Sequence, residues 1–556
     1  MDEALPGVTV SDTQSFDTDV LVIGAGPVGL ALSLSLGLCG HRVIMVERDG
    51  SRGPQPRAKT LNMRSLTHLR RWGLAQKVRE ASPTPDDLPT DIVFQTRLYG
   101  HHIATLPNIY FRGNSHAGDL RFCEPSEWIP QYKVEEVIKT RLDELACVQQ
   151  EYGTQLLGFS QNDDGVTASF QKGDEEEFTL RAKFIVGADG GSSKVREIIG
   201  GKLEGRYAYA CNYNMVLRIP ELNKNPPANR GIMHWLINED SPGIMGPIGE
   251  LWYIAKRLPR GDSGMTEEQI DRYLQGIIGR KVDFEVMALD PWYAHELIAD
   301  TYRDRRAFIA GDACQLRPPF GGYGMNMGLG DAADLAWKLG AVLAGWGGEG
   351  LLDSYEYERG QVHRWTVDEA VANYAVLSAD LLRKDLEDPG SEGQTAREAL
   401  GREAVEQKRR EFHTIGLVLG YHYGGSPIVS GGDDLGAPVA EEYDPVAVPG
   451  KLVPHFWLAP GVSVYDRFGP GLTLLTREQA SDGVTAFRLA ASALSVPLEI
   501  LTIPHEAAAF FPEALVLARP DEHIAWQGDR VSSEEALVVM RKSIGRAGRQ
   551  TEREDA

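Results

Sequence analysis

Three groups of residues in this 556-residue chain have types and spacings suited to binding chemistry. In "VIGAGPVG", Gly24, Gly26 and Gly29 stand in GxGxxG spacing around Pro27 and Val28, and Glu47 and Arg48 follow about twenty residues on. Glycine at 24 permits a tight turn, at 26 it lets backbone approach a pyrophosphate, and at 29 it lets a helix pack closely on a strand. Glu47 is placed to accept the hydroxyls of an adenosine ribose. The second group, "GADGGSSKVRE", sets Asp189 and Gly190 ahead of Ser193 and Arg196. The third, "GDACQLRPPFGGYGMNMG", sets Asp312 ahead of a loop with Pro319, Gly322, Gly324, Met325 and Asn326. An acid in such a turn accepts hydrogen bonds from a sugar-like hydroxyl chain; it also caps a helix, the stronger reading for an isolated Gly-Asp pair.

These residues need elements to hold them. Apolar Val20–Ile23, the glycine turn, a run of small and apolar residues at helical spacing and a second apolar run ending at Glu47 read as strand, turn, helix, strand. Phe184–Val186 and Phe308–Ala310 read as two further strands, each ending at one of the acids. In a doubly wound sheet, ligands bind beyond the carboxyl ends of parallel strands, so all three groups are expected on one side. The glycine pattern leaves FAD and NAD open, and two such loops admit either two nucleotides or one long cofactor held at both ends.

The order GAGPVG, GADGGSSKVR, then GDA with PPFGGYGMN resembles the FAD-dependent aromatic hydroxylases of the para-hydroxybenzoate hydroxylase and phenol hydroxylase family, single-component flavoprotein monooxygenases. The resemblance covers most of the chain. "PQPRAKTLNMRSLTHLRRWGL" and "EWIPQYKVEEVIKTRL" are similar to family segments, which implies that Arg57 lies along the flavin and that Gln131 contacts the cofactor. "LAWKLGAVLAGWGGEGLLDSYEYERGQV" resembles the helix and turn after the last loop. Gln315 and Gly330 depart from the family's usual His and Gln, and "EWIP" is not the WxWxIP of flavin halogenases.

What the resemblance implies is one non-covalent FAD held twice: pyrophosphate on the first loop, ribityl chain on Asp312, ring over Gly321 to Asn326. Pro319, Gly322, Gly324 and Asn326 are implied in catalysis as well as in cofactor binding. A helix beginning near Met325 would aim its positive end at the flavin N1 and C2 carbonyl. NADPH or NADH would visit transiently near Asp189, Gly190 and Arg196. The implied reaction is hydroxylation of a phenol or other hydroxylated aromatic with O2, through a flavin C4a-hydroperoxide. A flavin dehydrogenase or reductase, or a non-catalytic FAD- and NAD(P)-binding regulator, are the alternatives.

Short alternating runs between Gly200 and Asp300 suggest an antiparallel sheet as substrate wall, with Tyr213, His234, Trp235, Trp252 and Tyr253 as candidate pocket residues. His234 is a candidate base for a phenol, against its reading as a satisfied strand histidine. Expected divisions are a flexible tail at 1–16; a Rossmann-like α/β FAD-binding domain from 17–95, 130–204 and 300–395; a substrate sheet from 96–129 and 205–299; and a helix and linker at 396–432. "SEGQTAREALGREAVEQKRREFH" reads as a solvated amphipathic face. Residues 433–556 resemble the thioredoxin-like C-terminal domain of the phenol hydroxylase branch; they contain no CxxC, so an oligomer or lid role is expected there rather than redox chemistry.

A net charge of -22 disfavours nucleic acid and anionic membranes. Scattered, odd-numbered cysteines suggest neither a disulfide framework nor a metal site. No apolar run has transmembrane length, and the acidic start is unlike a signal peptide. A cytoplasmic homo-oligomer acting on a small aromatic substrate is expected.

Overall fold

The computed structural model describes residues 15–50, 57–113, 119–259, 262, 264–432, 435–479 and 481–547. Residues 1–14 of the expected tail lie outside them. Phe16 does not behave as tail: the Arg181 guanidinium lies 5.2 Å over its ring.

The first sheet is doubly wound. Ala307–Ile309, Phe178–Gly187, Thr18–Ile23, Val43–Glu47 and Val148–Tyr152 lie side by side, each parallel to its neighbour. Val20, Leu21 and Val22 are wholly buried, as a strand covered on both faces requires. Ile23 pairs with both Gly187 and Val46, so the chain leaves three adjacent strands at one edge.

The second sheet runs Gln315–Leu316, Glu285–Ala299, Leu203–Arg218, Leu251–Arg257, Gly243–Ile248, Met233–Leu236, Ile92–Gln95 and His102–Leu106. All its pairs are antiparallel except Met233–Leu236 with Ile92–Gln95. Two sequence boundaries shift accordingly. Ile92–Gln95, assigned by sequence to the first domain, belongs to this sheet. Gln315–Leu316, just past Asp312, joins its opposite edge, so the third loop couples the two sheets.

The helix expected near Met325 begins at Tyr323, with Gly322 as its N-cap, and runs to Leu343. Ser391–Phe412 is helical as expected, yet its end is no solvated face: Lys408 and Glu411 are buried. The C-terminal unit has a mixed sheet, Leu498–Thr502, Leu472–Thr476, Leu515–Ala518 and Ile524–Gly528, with helices Asp482–Leu494 and Ser533–Ser543, a thioredoxin-like arrangement. Buried charges bind it to the rest. Arg519 pairs with Glu358 at 2.5 Å and Asp334 at 3.1 Å, and Arg64 pairs with Glu522 at 2.6 Å. No helix among the described residues is long and apolar enough to cross a membrane.

Candidate active site

One cleft of about 1160 Å³ runs along the carboxyl edge of the parallel sheet and on to the second sheet. Its first end is built by the turn at Gly24, whose φ is +103° and where a Cβ would stand 2.3 Å from the Ala188 carbonyl oxygen. Glycine is obligatory there on both counts. Gly29 does not reach the cleft; it lets the helix Pro27–Leu38 close on the turn, since a Cβ there would meet the Gly24 oxygen at 1.9 Å. That helix is N-capped by Gly26 with no side-chain cap, which leaves its first-turn N–H groups for a ligand. Glu47 is 5 % exposed and lines the cleft; its carboxylate accepts the Ala25 N–H at 2.8 Å and the Asp49 N–H at 3.1 Å. The same carboxylate therefore sets the turn and faces the cleft. Pro27, Val28, Arg48, Arg57 and Gln131 line this stretch, with Gln131 donating to Glu135 at 2.8 Å.

The second acid behaves as a helix cap. Asp189 Oδ2 accepts the Lys194 N–H at 2.7 Å and the Val195 N–H at 3.3 Å. Its Oδ1 is buried without a hydrogen bond, and burial raises its pKa against those donors. Asp189 and Gly190 line the cleft. Arg196 does not: it donates to Ala313 O at 2.8 Å and Gly191 O at 2.7 Å, stapling two loops.

Asp312 opens onto the cleft from the short turn Gly311–Ala313. Its side chain is exposed to the cleft, yet the surrounding protein desolvates it enough to push its carboxyl above the usual range, opposed by Arg317 and then Arg57. Beyond it, Pro319, Gly322, Gly324 and Met325 line the wall. Gly322 has φ +68°, whereas Gly324 sits inside the helix without positive φ, and a Cβ there would meet nothing within 4 Å. Gly324 is thus bare toward the cleft, and the strained turn lies at Gly321 and Gly322. The helix Tyr323–Leu343 has neither a side-chain cap nor an acid in its first turn, so its positive end is unspent. Asn326, expected in the cleft, is 3 % exposed and turned away, bonded to Asn62, Thr60 and Gly322.

His234 is also outside. It is 1 % exposed, its Nδ1 lies 3.2 Å from Gln95 Nε2, and burial drops its pKa to about 4, which keeps the ring neutral. The strand register turns it into the sheet's packed layer. Tyr213, Trp235, Trp252 and Tyr253 do not line the cleft either. The aromatic wall is formed instead by Tyr110, Phe111, Trp128, Trp292 and Phe412. Sequence reasoning missed three charged residues there. Lys59 has its ammonium 4.5 Å over the Tyr253 ring and a pKa lowered by burial to about 8. Glu411, paired with Lys408 at 2.6 Å, has its pKa raised by burial. Arg317 is the third. The only sequence signal was position: Lys59 in the segment after the second strand, Arg317 inside the third motif, and Lys408 and Glu411 one turn apart.

A two-ended cofactor fits this geometry. Two uncapped helix ends, two acids and a bare glycine face one continuous cleft, and its volume exceeds the ~300–1,000 Å³ of a single-ligand pocket.

Comparison with known proteins bears on the same residues. A family described as an FAD binding domain matches residues 17–370, and one described as aromatic-ring hydroxylase, C-terminal, matches residues 446–547. Aklavinone 12-hydroxylase RdmE of Streptomyces purpurascens is 30% identical, over 95% of this chain and 99% of that protein. The 2,4-dichlorophenol 6-monooxygenase of Cupriavidus pinatubonensis is 26% identical over 98% of each. Among solved structures, the rebeccamycin biosynthetic enzyme RebC with reduced flavin has a TM-score of 0.87 at 32% identity, covering 96% of this chain and 100% of that one. Aklavinone-11 hydroxylase in complex with FAD and aklavinone has a TM-score of 0.80 at 28% identity, covering 95% and 99%.

Proposed function

The chain belongs to the FAD-dependent aromatic-ring hydroxylases, and from that premise we propose that its substrate is a fused-ring phenol of polyketide type rather than a single-ring phenol. The observation that carries this reading is the reach of the cleft, which continues past the Gly321–Met325 loop to the aromatic wall of Tyr110, Phe111, Trp128, Trp292 and Phe412. Flat rings stack on such a wall, and each further ring buries more apolar area at about 25 cal/mol per Å². The names of relatives acting on aklavinone support the same choice.

Bound FAD supplies the redox chemistry: electrons taken from NAD(P)H reduce O2, one atom of which enters the ring while the other leaves as water. The chain's own residues bind and orient. In this reading the first turn of Pro27–Leu38 takes the pyrophosphate, Glu47 the adenosine ribose and Asp312 the ribityl hydroxyls. Gly324, bare toward the cleft, would leave room for the ring, and the positive end of Tyr323–Leu343 would stabilise negative charge on it. The aromatic wall excludes water around the reacting carbon.

The test is substrate-stimulated NAD(P)H oxidation with oxygen uptake across single-ring and fused-ring phenols, with labelled O2. One labelled atom in a fused-ring product, and weak stimulation by single-ring phenols, is expected. Equal turnover of single-ring phenols would overturn the substrate reading and leave the hydroxylase assignment standing.

A further inference from the structure

Arg317 is a cation whose guanidinium nitrogens, Nε, Nη1 and Nη2, are all buried and, among the described residues, make neither an ion pair nor a hydrogen bond. Other interior arginines are matched: Arg359 with Asp331 at 2.6 Å, Arg519 with Glu358 at 2.5 Å, Arg64 with Glu522 at 2.6 Å. The two carboxylates within electrostatic reach of Arg317 are Asp312 and Asp331. Asp331 is already held by Arg359 and His363, and Asp312 opens to the cleft. Gln315, two residues earlier and on the same side of the extended chain, is wholly buried with both amide atoms unpartnered as well. Between them Leu316 faces the cleft. Arg317 lines the cleft as well, half-buried as a residue, with its three guanidinium nitrogens buried in that lining. Burial lowers its pKa only to about 10, so it is charged at neutral pH.

A buried charge without an ion pair is unfavourable, and its field is weakly screened in a low-dielectric interior. Arg317 stands directly before Pro318, and the first residue of the helix, Tyr323, is within its electrostatic reach. We propose that Arg317, in the lining of the cleft beside the Pro318–Gly322 loop, is a fixed counter-charge for reduced flavin. Hydride transfer from NAD(P)H delivers two electrons and one proton to neutral oxidised flavin; NAD(P)⁺ departs, and the ring gains one negative charge. Only the reduced form gains from a cation in that lining. This inference rests on the reading that the ring lies against Gly321–Met325.

The test compares wild type with R317M, R317Q and R317K for FAD affinity and for the midpoint potential of the bound flavin. In R317M and R317Q, oxidised FAD should bind as in wild type, while the preference for reduced over oxidised FAD falls about tenfold, a potential about 30 mV lower for a two-electron couple. R317K should keep most of the wild-type potential. In wild type alone, the reduced flavin should remain anionic below the pH at which free reduced flavin takes up its N1 proton. An unchanged potential in FAD-loaded R317M or R317Q, a change confined to substrate KM, or a neutral reduced flavin in wild type at pH 7 would each overturn the proposal. If FAD bound as usual but R317M and Gly324→Ala both left the flavin unaffected, the ring placement itself would fail instead.

Discussion

Asn326 and Asn62 are joined across 264 residues of sequence: the Asn326 side-chain oxygen accepts the Asn62 backbone N–H at 2.9 Å. The Asn326 amide nitrogen donates to Thr60 O at 2.9 Å and Gly322 O at 2.6 Å. Asn62 in turn accepts the Ser65 N–H with its own side chain at 2.9 Å and so caps the helix Met63–Arg71. One side chain thus fastens the glycine turn, the strand Thr60–Leu61 and a second helix start.

Asn326→Ala should therefore act on stability before chemistry. It strands a buried N–H and two carbonyls, a loss of about 2–4 kcal/mol. Asn326→Asp keeps the acceptor for Asn62 but sets carboxylate oxygen against the Thr60 and Gly322 carbonyls whenever it is ionised. The aspartate variant should thus be less stable relative to wild type at pH 8 than at pH 5. Chemical unfolding at both pH values checks this, and equal stability of all three proteins would remove the fastening role.

His234 gives a prediction with a definite sign. Its folded pKa is near 4 against an ordinary 6.5, so between these values the unfolded chain binds the extra proton and stability falls with falling pH. The contribution is intact above about pH 7, diminishes as pH drops through 6.5, and is fully lost below 4, a total of about 3 kcal/mol at 1.36 kcal/mol per unit. His234→Gln should lose less stability than wild type between pH 7.5 and 5, by about 2 kcal/mol. Its pH profile of kcat/KM should match wild type. A profile that loses a limb in the variant would return His234 to the chemistry.

What the sequence made legible is what is fixed within a few residues. Gly24, Gly29 and Glu47 act through the strand, turn and helix that their own segment forms, and Asp312 through the turn it belongs to. The side of a strand residue is different: His234 faces away from the cleft, while Trp235, on the same face as the cleft-lining Met233, is covered by Lys408 and Phe320, in a strand whose partner Ile92–Gln95 is well over a hundred residues distant. Gly322 and Gly324 look alike in sequence, and only the backbone shows which one carries positive φ. Burial of Arg317 and Glu411 depends on elements from other parts of the chain closing over them, which no local pattern encodes.

Lys408 and Glu411 show the cost of that closure. Lys408 is 1 % exposed, donates to Asn373 O at 3.1 Å and Val376 O at 2.8 Å, and lies 4.1 Å over the Trp235 ring as well as 2.6 Å from Glu411. Removing one partner of a buried ion pair costs about 3–5 kcal/mol, because the other charge stays behind. Lys408→Met should lose that much, and Lys408→Met with Glu411→Gln should recover part of it. Thermal unfolding of the single and double variants measures the coupling; additive losses would show that the two charges are not paired.

Gly322 and Gly324 should separate stability from cofactor contact. Gly322 holds φ +68°, and a Cβ there would stand 3.3 Å from Thr60 Cβ, so Gly322→Ala pays left-handed strain of about 1–2 kcal/mol plus a tight contact. Its loss should appear as a lower Tm without any flavin added. Gly324 is helical, and alanine is favoured over glycine in a helix by up to about 1 kcal/mol. Gly324→Ala should therefore keep or raise the Tm of the flavin-free protein. Its methyl enters the space that Gly324 leaves bare, where the ring is proposed to lie, so FAD affinity should fall about tenfold, equivalent to ~1.4 kcal/mol. What FAD still binds would sit displaced from the helix end, with more hydrogen peroxide released per NAD(P)H and less hydroxylated product. Flavin binding, peroxide and product measured on one preparation decide it, since a Gly324→Ala protein with wild-type affinity and wild-type coupling would place the ring elsewhere in the cleft.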